Sequence, residues 1–125
     1  MGIKEERKCL KSSSFKRSDC AIACTLDLLG DKWTLLIIRD LFLGKNRYKE
    51  IHASEENIPT NILASRLQKM EKAGLITKKP YQERPVRYEY HLTEIGRSLE
   101  PVIQVILDWA GEQLPGTRQP KNQKS

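Results

Sequence analysis

Residues 58–92 constrain the fold of this 125-residue chain most, because a helical pattern there gives way directly to a strand pattern. Three apolar side chains recur at the spacing of one helix face: Leu63, Leu67 and Met70. Pro59 suits a first helical turn and Gly74 suits a left-handed cap, so we predict a helix at about residues 60–73. The face opposite the apolar stripe is polar but not acidic.

A two-stranded ribbon is predicted directly after this helix. Polarity alternates from Leu75 to Lys79, and Arg87 to Leu92 form a second β-prone run. Pro85 cannot donate to a ladder, so the chain should reverse at about residues 82–86. The ribbon carries four cations: Lys78, Lys79, Arg84 and Arg87. A polar helix beside a basic ribbon is typical of a winged helix, in which the helix contacts bases and the wing contacts phosphates.

The composition agrees with a polyanionic partner but does not require one. Twenty-two Lys and Arg against sixteen Asp and Glu give a formal charge of +6, which favours nucleic acid. A solvated basic face would give the same composition. The length is that of one domain with a core of its own.

The sequence predicts a cytoplasmic protein with no membrane association. No apolar run is long enough to span a bilayer, since Arg39 and Asp40 interrupt the stretch at 34–43, and the N-terminal segment lacks the apolar region of a secretory signal. Three cysteines, an odd number, do not indicate the disulfide framework of a secreted fold.

Helices account for most of the predicted structure. A first helix at about 19–29 leads to a largely buried second helix at about 32–43, which Asp31 caps. A short helix from Lys49 to about Ser54 and the helix at 60–73 form a helix-turn-helix. The predicted fold class is therefore mainly α with a small β-hairpin wing (α+β), a winged helix-turn-helix.

We predict one DNA-binding and dimerisation domain at residues 19–114, between flexible polar tails at 1–18 and 115–125. Its last helix is expected at about 94–113, capped by Thr93 and kinked at Pro101. The apolar surface of that helix is wider than one small domain can cover, so we expect a homodimer through the N- and C-terminal helices. The side chains assigned to the interface are Ile22, Leu26, Leu99, Val102, Ile103, Ile106 and Trp109.

Three ordered sequence blocks match a family pattern. They are LDLLGDKWTLLIIRDL at 26–41, preceded by a cysteine, RYKEI at 47–51 and PVRYEYHLTEIGRSLEP at 85–101. Over roughly Cys20 to Leu114 the chain resembles the HxlR-type transcriptional regulators, winged-helix proteins related to the MarR group. Two positions depart from that pattern: Val86 replaces a proline common at the wing, and Asp31 stands where a second glycine is frequent.

The resemblance implies a homodimer that binds a short inverted repeat in double-stranded DNA near a promoter and represses or activates a neighbouring gene. Two recognition helices related by a dyad would reach major grooves about one helical turn, roughly 34 Å, or a multiple of it apart. The resemblance does not identify the operator, because recognition helices vary within such families.

The candidate DNA contacts lie on the predicted recognition helix and on the wing. They are Thr60, Asn61, Ala64, Ser65, Gln68, Lys69, Arg84 and Arg87. Asn and Gln can pair with adenine and Lys with guanine or phosphate, while the wing arginines suit phosphates or the minor groove. Two alternatives stay open: the helix face is an ordinary solvated surface, and Arg87 pairs with Glu89 or braces the hairpin.

Cys20 is the candidate redox sensor, because in some members of the resembled family the cysteine at this position senses oxidants or electrophiles. It lies near a helix start with Lys16 and Arg17 close in sequence, which favours a thiolate, whereas Asp19 disfavours one. The alternative is a small buried cysteine near the dimer interface.

Neither an enzyme nor a metal centre is predicted, and no cofactor is expected. Cys24 lies one helical turn from Cys20, and Cys9 in the tail could reach Cys20 or another subunit; the alternative is three unrelated thiols. His52 and His91 lie far from the cysteines in sequence and do not complete a four-ligand zinc site. No glycine-rich phosphate loop or nucleophile elbow is present.

A protein-interaction adaptor built on the same fold is the rival interpretation. An adaptor would bind DNA weakly and without sequence preference, whereas a regulator should keep a specificity ratio of at least about 10³ at physiological salt. A small-molecule or redox effector is compatible with the sequence, which identifies none.

Overall fold

The computed structural model describes residues 19–54 and 56–118. Cys9 and the predicted N-terminal tail lie outside the described residues, as do residues 119–125 of the C-terminal tail. The described elements are α1 (Ala21–Leu29), α2 (Thr34–Phe42), α3 (Tyr48–His52), α4 (Thr60–Ala73), β1 (Ile76–Glu83), β2 (Val86–Leu92), α5 (Glu94–Arg97) and α6 (Glu100–Gln113). The predicted fold class, mainly helical with a two-stranded wing, is confirmed.

Helix α4 has the bounds that the sequence predicts. Pro59 precedes its first turn, and Gly74 ends it in a left-handed conformation with a φ of 88°. Four side chains bury its apolar side: Leu63, Leu67, Met70 and Ala73. The apolar stripe therefore fixes which side of α4 faces the core and leaves the polar side outward.

Asp31 accepts hydrogen bonds at the start of α2, but the N-cap residue is Trp33 and not Asp31 as predicted, because the helix begins later than expected. Asp31 Oδ2 accepts hydrogen bonds from the backbone N–H groups of Trp33 and Thr34, both at 3.0 Å. These bonds hold a bend at residues 31–33, so α2 begins at Thr34 and not at about residue 32. Helix α1 likewise begins at Ala21, two residues inside its predicted start at 19.

Strands β1 and β2 form the antiparallel ribbon of the wing. Ile76 lies opposite Leu92 at its base, and Glu83 lies opposite Val86 next to the turn at residues 84–85. Both residues at the base are buried in the core, whereas the outer part of the ribbon is exposed. The wing therefore projects from the domain beside α4.

The prediction of one kinked C-terminal helix is wrong, because the segment forms two helices. Helix α5 ends at Arg97, and α6 begins at Glu100 with Pro101 in its first turn. Proline lacks an N–H and has a fixed φ, which a first helical turn tolerates, so Pro101 marks a helix start. Thr93 does cap α5, since its Oγ1 accepts a hydrogen bond from the Gly96 N–H at 3.0 Å.

Thr93 and Gly96 also fasten α5 against the segment that follows α4. The Thr93 hydroxyl donates to the Gly74 carbonyl oxygen at 2.7 Å. Gly96 is buried, and a Cβ at this position would collide with the carbonyl oxygen of Leu75 and with the side chain of Leu92. A glycine is therefore required for this close approach of backbones.

Gly96→Ala is expected to lower the free energy of unfolding by about 1–3 kcal/mol, because a backbone carbonyl must move to admit the methyl group. Urea unfolding followed by circular dichroism measures the change. Arg97→Ala, at an exposed position of the same helix, is the matched control. A wild-type unfolding free energy for Gly96→Ala would contradict the close contact.

The core lies between α2, α3, α4 and the base of the wing. Its fully buried apolar side chains are Ile37, Ile38, Ile51, Ile58, Leu63, Met70, Leu75 and Ile76. Helix α1 contributes only Leu29 as a buried side chain, and α6 contributes none. The first and last helices therefore lie at the margin of the domain. None of the helices described here is long and apolar enough to cross a membrane.

Candidate nucleic-acid interface

Helices α3 and α4 and the turn between them form the helix-turn-helix. The Tyr48 hydroxyl at the start of α3 donates to the Thr60 carbonyl oxygen at 3.1 Å, which ties α3 to the N-terminus of α4. In the turn, Asn57 has a left-handed backbone with a φ of 55°, and Ile58 is buried in the core. The start of α4 is thus anchored on both sides.

A charge network that was not predicted from the sequence connects α2 to the turn between α3 and α4. Asp40 is fully buried, and its Oδ1 accepts a hydrogen bond from Arg39 Nε at 3.1 Å. Arg39 Nη1 also donates to Glu56 Oε2 at 3.5 Å. Burial raises the pKa of the Asp40 carboxyl, and the Arg39 charge opposes that effect. Arg39 therefore links α2 to the residues that immediately precede α4.

The face of α4 that points away from the core is exposed to solvent. It carries the predicted contacts Thr60, Asn61, Ala64, Ser65, Gln68 and Lys69. The amides of Asn61 and Gln68 offer both donors and an acceptor, the combination that pairs with the adenine edge in a major groove. We call these six residues the reading face; that each contacts DNA stays a prediction.

Two cationic side chains of α4 reach toward the α1–α2 junction. Lys69 Nζ donates to the Asp27 carbonyl oxygen at 3.3 Å, near the end of α1. Arg66 Nε donates to Asp31 Oδ2 at 2.9 Å. Lys69 thus lies at the edge of the reading face, with its ammonium group beside α1. The sequence does not predict this contact.

The carboxylate of Asp31 is stabilised in its charged form. Burial raises its pKa, but hydrogen bonds from the Thr34 side chain, the Trp33 and Thr34 backbone and Arg66 outweigh that effect. They lower the pKa from 3.8 to about 2. The pair with Arg66 is therefore ionic at neutral pH.

The predicted wing contacts lie on the projecting part of the ribbon. Arg84 occupies the turn and Arg87 follows on β2, and both are exposed. Glu89, the alternative partner considered for Arg87, contacts other groups: Arg47 Nη2 at 3.6 Å and His91 Nε2 at 3.0 Å. The hydrogen bond with His91 lowers the pKa of Glu89.

A groove of about 670 Å³ lies between α3 and the wing. It was not predicted from the sequence. Arg47, Lys49 and Arg87 line this groove together with several aromatic rings. The Arg47 guanidinium lies 3.9 Å from the centroid of the Tyr81 ring. Three cations between α3 and the wing suit contacts with DNA phosphates. The block at 47–51 contains two of these cations, but only the bridge from Arg47 to β2 brings them opposite the wing.

The cysteines of the described chain lie at the start of α1. Cys20 is exposed at the N-cap position, and Cys24 is half-buried one turn further on. The Cys24 N–H donates to the Cys20 carbonyl oxygen at 2.9 Å, so both residues belong to the same helical turn. The cations predicted to influence Cys20, at positions 16 and 17, lie outside the described residues.

Helices α1 and α6 expose most of the apolar side chains predicted for the dimer interface. The exposed fractions are 71% for Ile22, 53% for Leu26, 41% for Val102, 44% for Ile106 and 58% for Trp109. Leu99 and Ile103, assigned to the same interface, are partly buried against the domain's own core. Val105, 64% exposed, adds to the patch. We call the exposed members of this set the apolar margin.

Comparison with known proteins identifies the family. Residues 28–118 match the model of the HxlR-like helix-turn-helix family. The chain belongs to the HxlR-like helix-turn-helix family. The match spans the helix-turn-helix, the wing and α6, the elements that carry the reading face and most of the apolar margin. The family resemblance predicted from the sequence blocks is therefore confirmed.

The HxlR-like chain is similar to curated transcriptional regulators. It is 41% identical over 95 residues to an uncharacterised HTH-type transcriptional regulator of Mycobacterium tuberculosis, a match that covers 76% of this chain and 60% of that one. The chain therefore spans about 60% of the length of that relative. These matches are to transcriptional regulators and indicate no enzymatic family.

Solved structures show the same fold. A protein from Porphyromonas gingivalis, described as a transcriptional regulator of the MarR family, superposes with a TM-score of 0.69 at 32% identity, covering 82% of this chain and 100% of that one. The redox regulator HypR in its reduced form gives a TM-score of 0.70 at 29% identity, covering 77% and 95%. The oxidised form of HypR superposes with a TM-score of 0.67 at 30% identity, covering 81% of this chain and 100% of that one.

Proposed function

We propose that this HxlR-like protein is a cytoplasmic transcriptional regulator that binds double-stranded DNA as a homodimer at an inverted repeat. Occupancy of that site represses or activates a neighbouring gene. The main support for the proposal is the exposed polar face of α4. The buried apolar side of α4 fixes the orientation of that face, and the basic wing projects beside it. Bases are read by α4 in the major groove, and the wing and the groove beside α3 contact phosphates.

A dimer accounts for the apolar margin. Single exposed apolar side chains are ordinary on a protein surface, but a group of them on the two terminal helices α1 and α6 favours a partner. A second copy would cover the patch and place two α4 helices on one duplex. This arrangement requires an operator with matching two-fold symmetry.

Cys20 is the proposed site of redox or electrophile sensing. It is exposed at the start of α1, and the same helix carries Ile22 and Leu26 of the apolar margin. HypR, a protein of similar fold, is named a redox regulator and is known in reduced and oxidised forms. Modification of Cys20 would change how α1 packs in the dimer and thereby the spacing of the two α4 helices.

Selection of bound sequences from a random DNA pool, with the purified full chain at fixed physiological salt, tests the proposal. We expect enrichment of a symmetric motif and a specificity ratio of at least about 10³ over unrelated DNA. Binding without enrichment would contradict sequence-specific regulation and would favour an adaptor.

Arg84→Ala is expected to weaken binding to specific and unrelated DNA alike and to reduce the salt slope of the binding constant by about 2, because the homodimer loses one phosphate contact in each subunit. Titrations of labelled DNA at several salt concentrations measure the slope. Arg97→Ala removes the same charge from exposed α5 and is the control. An unchanged slope for Arg84→Ala would exclude the contact.

Cys20→Ser is expected to abolish the response of DNA binding to oxidants. In the wild type, mild oxidation should change operator affinity about 5- to 150-fold and reduction should restore it, the range typical of coupling between two sites. Cys24→Ser, one helical turn away, should keep the response if Cys20 is the sensor. Identical binding by the oxidised and reduced wild type would eliminate the sensor role.

A further inference from the structure

The carboxylate of Asp31 joins the start of α2 to the middle of α4. Its Oδ1 accepts a hydrogen bond from the Thr34 hydroxyl at 2.5 Å, and its Oδ2 accepts one from Arg66 Nε at 2.9 Å. The two side chains of the ion pair are 20% and 25% exposed, so solvent shields the pair only in part. Asp31 therefore holds the Arg66 guanidinium on the side of α4 that faces the α1–α2 junction.

Arg66 makes a second bond that reaches the reading face. Its Nη1 donates to Ser65 Oγ at 3.3 Å. A guanidinium has donors and no acceptor, so Ser65 Oγ must be the acceptor in this bond. The hydroxyl hydrogen of Ser65, which is exposed on α4, is then available to donate outward.

We propose that Asp31 is a positioning residue for DNA readout: through Arg66 it presents the Ser65 hydroxyl as a hydrogen-bond donor toward the major groove. This inference rests on the proposed function and names the chemistry that one residue of the reading face recognises. Asp31 also keeps Arg66, the next residue along α4, from entering the groove.

The proposal restricts the base that faces Ser65. Guanine, adenine and thymine each present an acceptor in the major groove, whereas cytosine presents only its amino donor there. Arg66 occupies one of the two lone pairs of Ser65 Oγ, and its charge opposes the approach of a second donor, so Ser65 should favour these three bases over cytosine. A serine released from Arg66 can turn its oxygen freely toward the cytosine amino group, so this bias against cytosine should weaken.

Core packing alone does not produce this arrangement. The buried side of α4 fixes where the helix lies, but Arg66 and Ser65 lie outside that apolar stripe. The orientation of the Ser65 hydroxyl depends on Arg66, and that of Arg66 depends on Asp31.

Selection from a random DNA pool, run in parallel on the wild type, Ser65→Ala and Asp31→Asn, tests the inference. The asparagine keeps an oxygen for the hydrogen bonds at the start of α2 but loses the charge that holds Arg66. We expect both variants to lose the bias against cytosine at the same symmetric motif position and to bind the wild-type consensus about 5- to 150-fold more weakly, the value of one hydrogen bond in each of the two half-sites. The double variant should bind no more weakly than the weaker single variant.

Two further variants separate positioning from folding. Glu94→Gln makes the same charge change at an exposed position of α5, outside the reading face, and should leave base preference unchanged. Arg66→Lys leaves Asp31 and its hydrogen bonds at the start of α2 intact but removes the two-pronged geometry, so it should relax the same motif position. A thermal unfolding curve, measured for each variant, shows whether that variant is folded.

An Asp31→Asn protein with wild-type base preferences would overturn the inference, as would additive losses in the double variant. Equal weakening at every motif position would also overturn it, because that result assigns Asp31 a structural role only. If the wild type selects a motif and the variants select the same motif, only this inference is contradicted. A wild type that selects no motif overturns the proposed function and the inference together.

Discussion

Replacing Ile106 with aspartate is expected to convert the proposed dimer into a monomer and to weaken operator binding at least about 100-fold, because two linked half-sites become one. Ile106 is 44% exposed in the single chain and belongs to the apolar margin of α6. A carboxylate there would be solvated in the monomer but desolvated and unpaired in the interface, which costs several kcal/mol. The monomer itself should therefore still fold.

Analytical ultracentrifugation gives the oligomeric state, and titration of labelled operator gives the affinity. Gln104→Asp is the matched control, since it places the same charge on α6 about 160° around the helix from Ile106. The control should stay dimeric and bind DNA as the wild type does. A dimeric Ile106→Asp protein would show that the apolar margin is not the interface.

Asn61→Ala is expected to weaken operator binding by about 1–3 kcal/mol in each half-site, or roughly 30- to 10⁴-fold for the homodimer, and to leave binding to unrelated DNA nearly unchanged. Asn61 is exposed in the first turn of α4, and its amide can make two hydrogen bonds to one adenine. Alanine fits the helix well, so the loss should come from readout and not from unfolding.

Competition titrations with operator and scrambled duplexes at one salt concentration separate the two kinds of binding. Gln104→Ala removes an exposed amide from α6, outside the reading face, and serves as the control. Equal weakening on both duplexes would assign Asn61 to the phosphate backbone. No weakening on either duplex would remove it from the interface.

The elements that the sequence predicted best are those with local signals. The bounds of α4 follow from Pro59, Gly74 and an apolar stripe that are adjacent along the chain. The wing follows from a change of period and from Pro85 at its turn. The split between α5 and α6 was missed because Pro101 is compatible with both a kink and a helix start, and its position in the sequence does not decide between them.

The contacts that the sequence did not reveal join residues far apart along the chain. Arg66 reaches Asp31 across 35 positions, and Lys69 reaches the Asp27 carbonyl across 42. Arg47 faces the wing only because its segment bridges to Glu89 on β2. Residue type and periodicity report the face on which a side chain lies, but not which distant group approaches it. The reading face was therefore predictable, while its connections to α1 and α2 were not.

In the proposed complex, two α4 helices enter major grooves on one face of the same duplex. Methylation interference on the selected operator detects this arrangement, because methylation at guanine N7 blocks the major groove. We expect two symmetric sets of interfering guanines whose centres lie about one helical turn, roughly 34 Å, or a multiple of it apart. Interference confined to one set, or absent from the major groove altogether, would contradict the account.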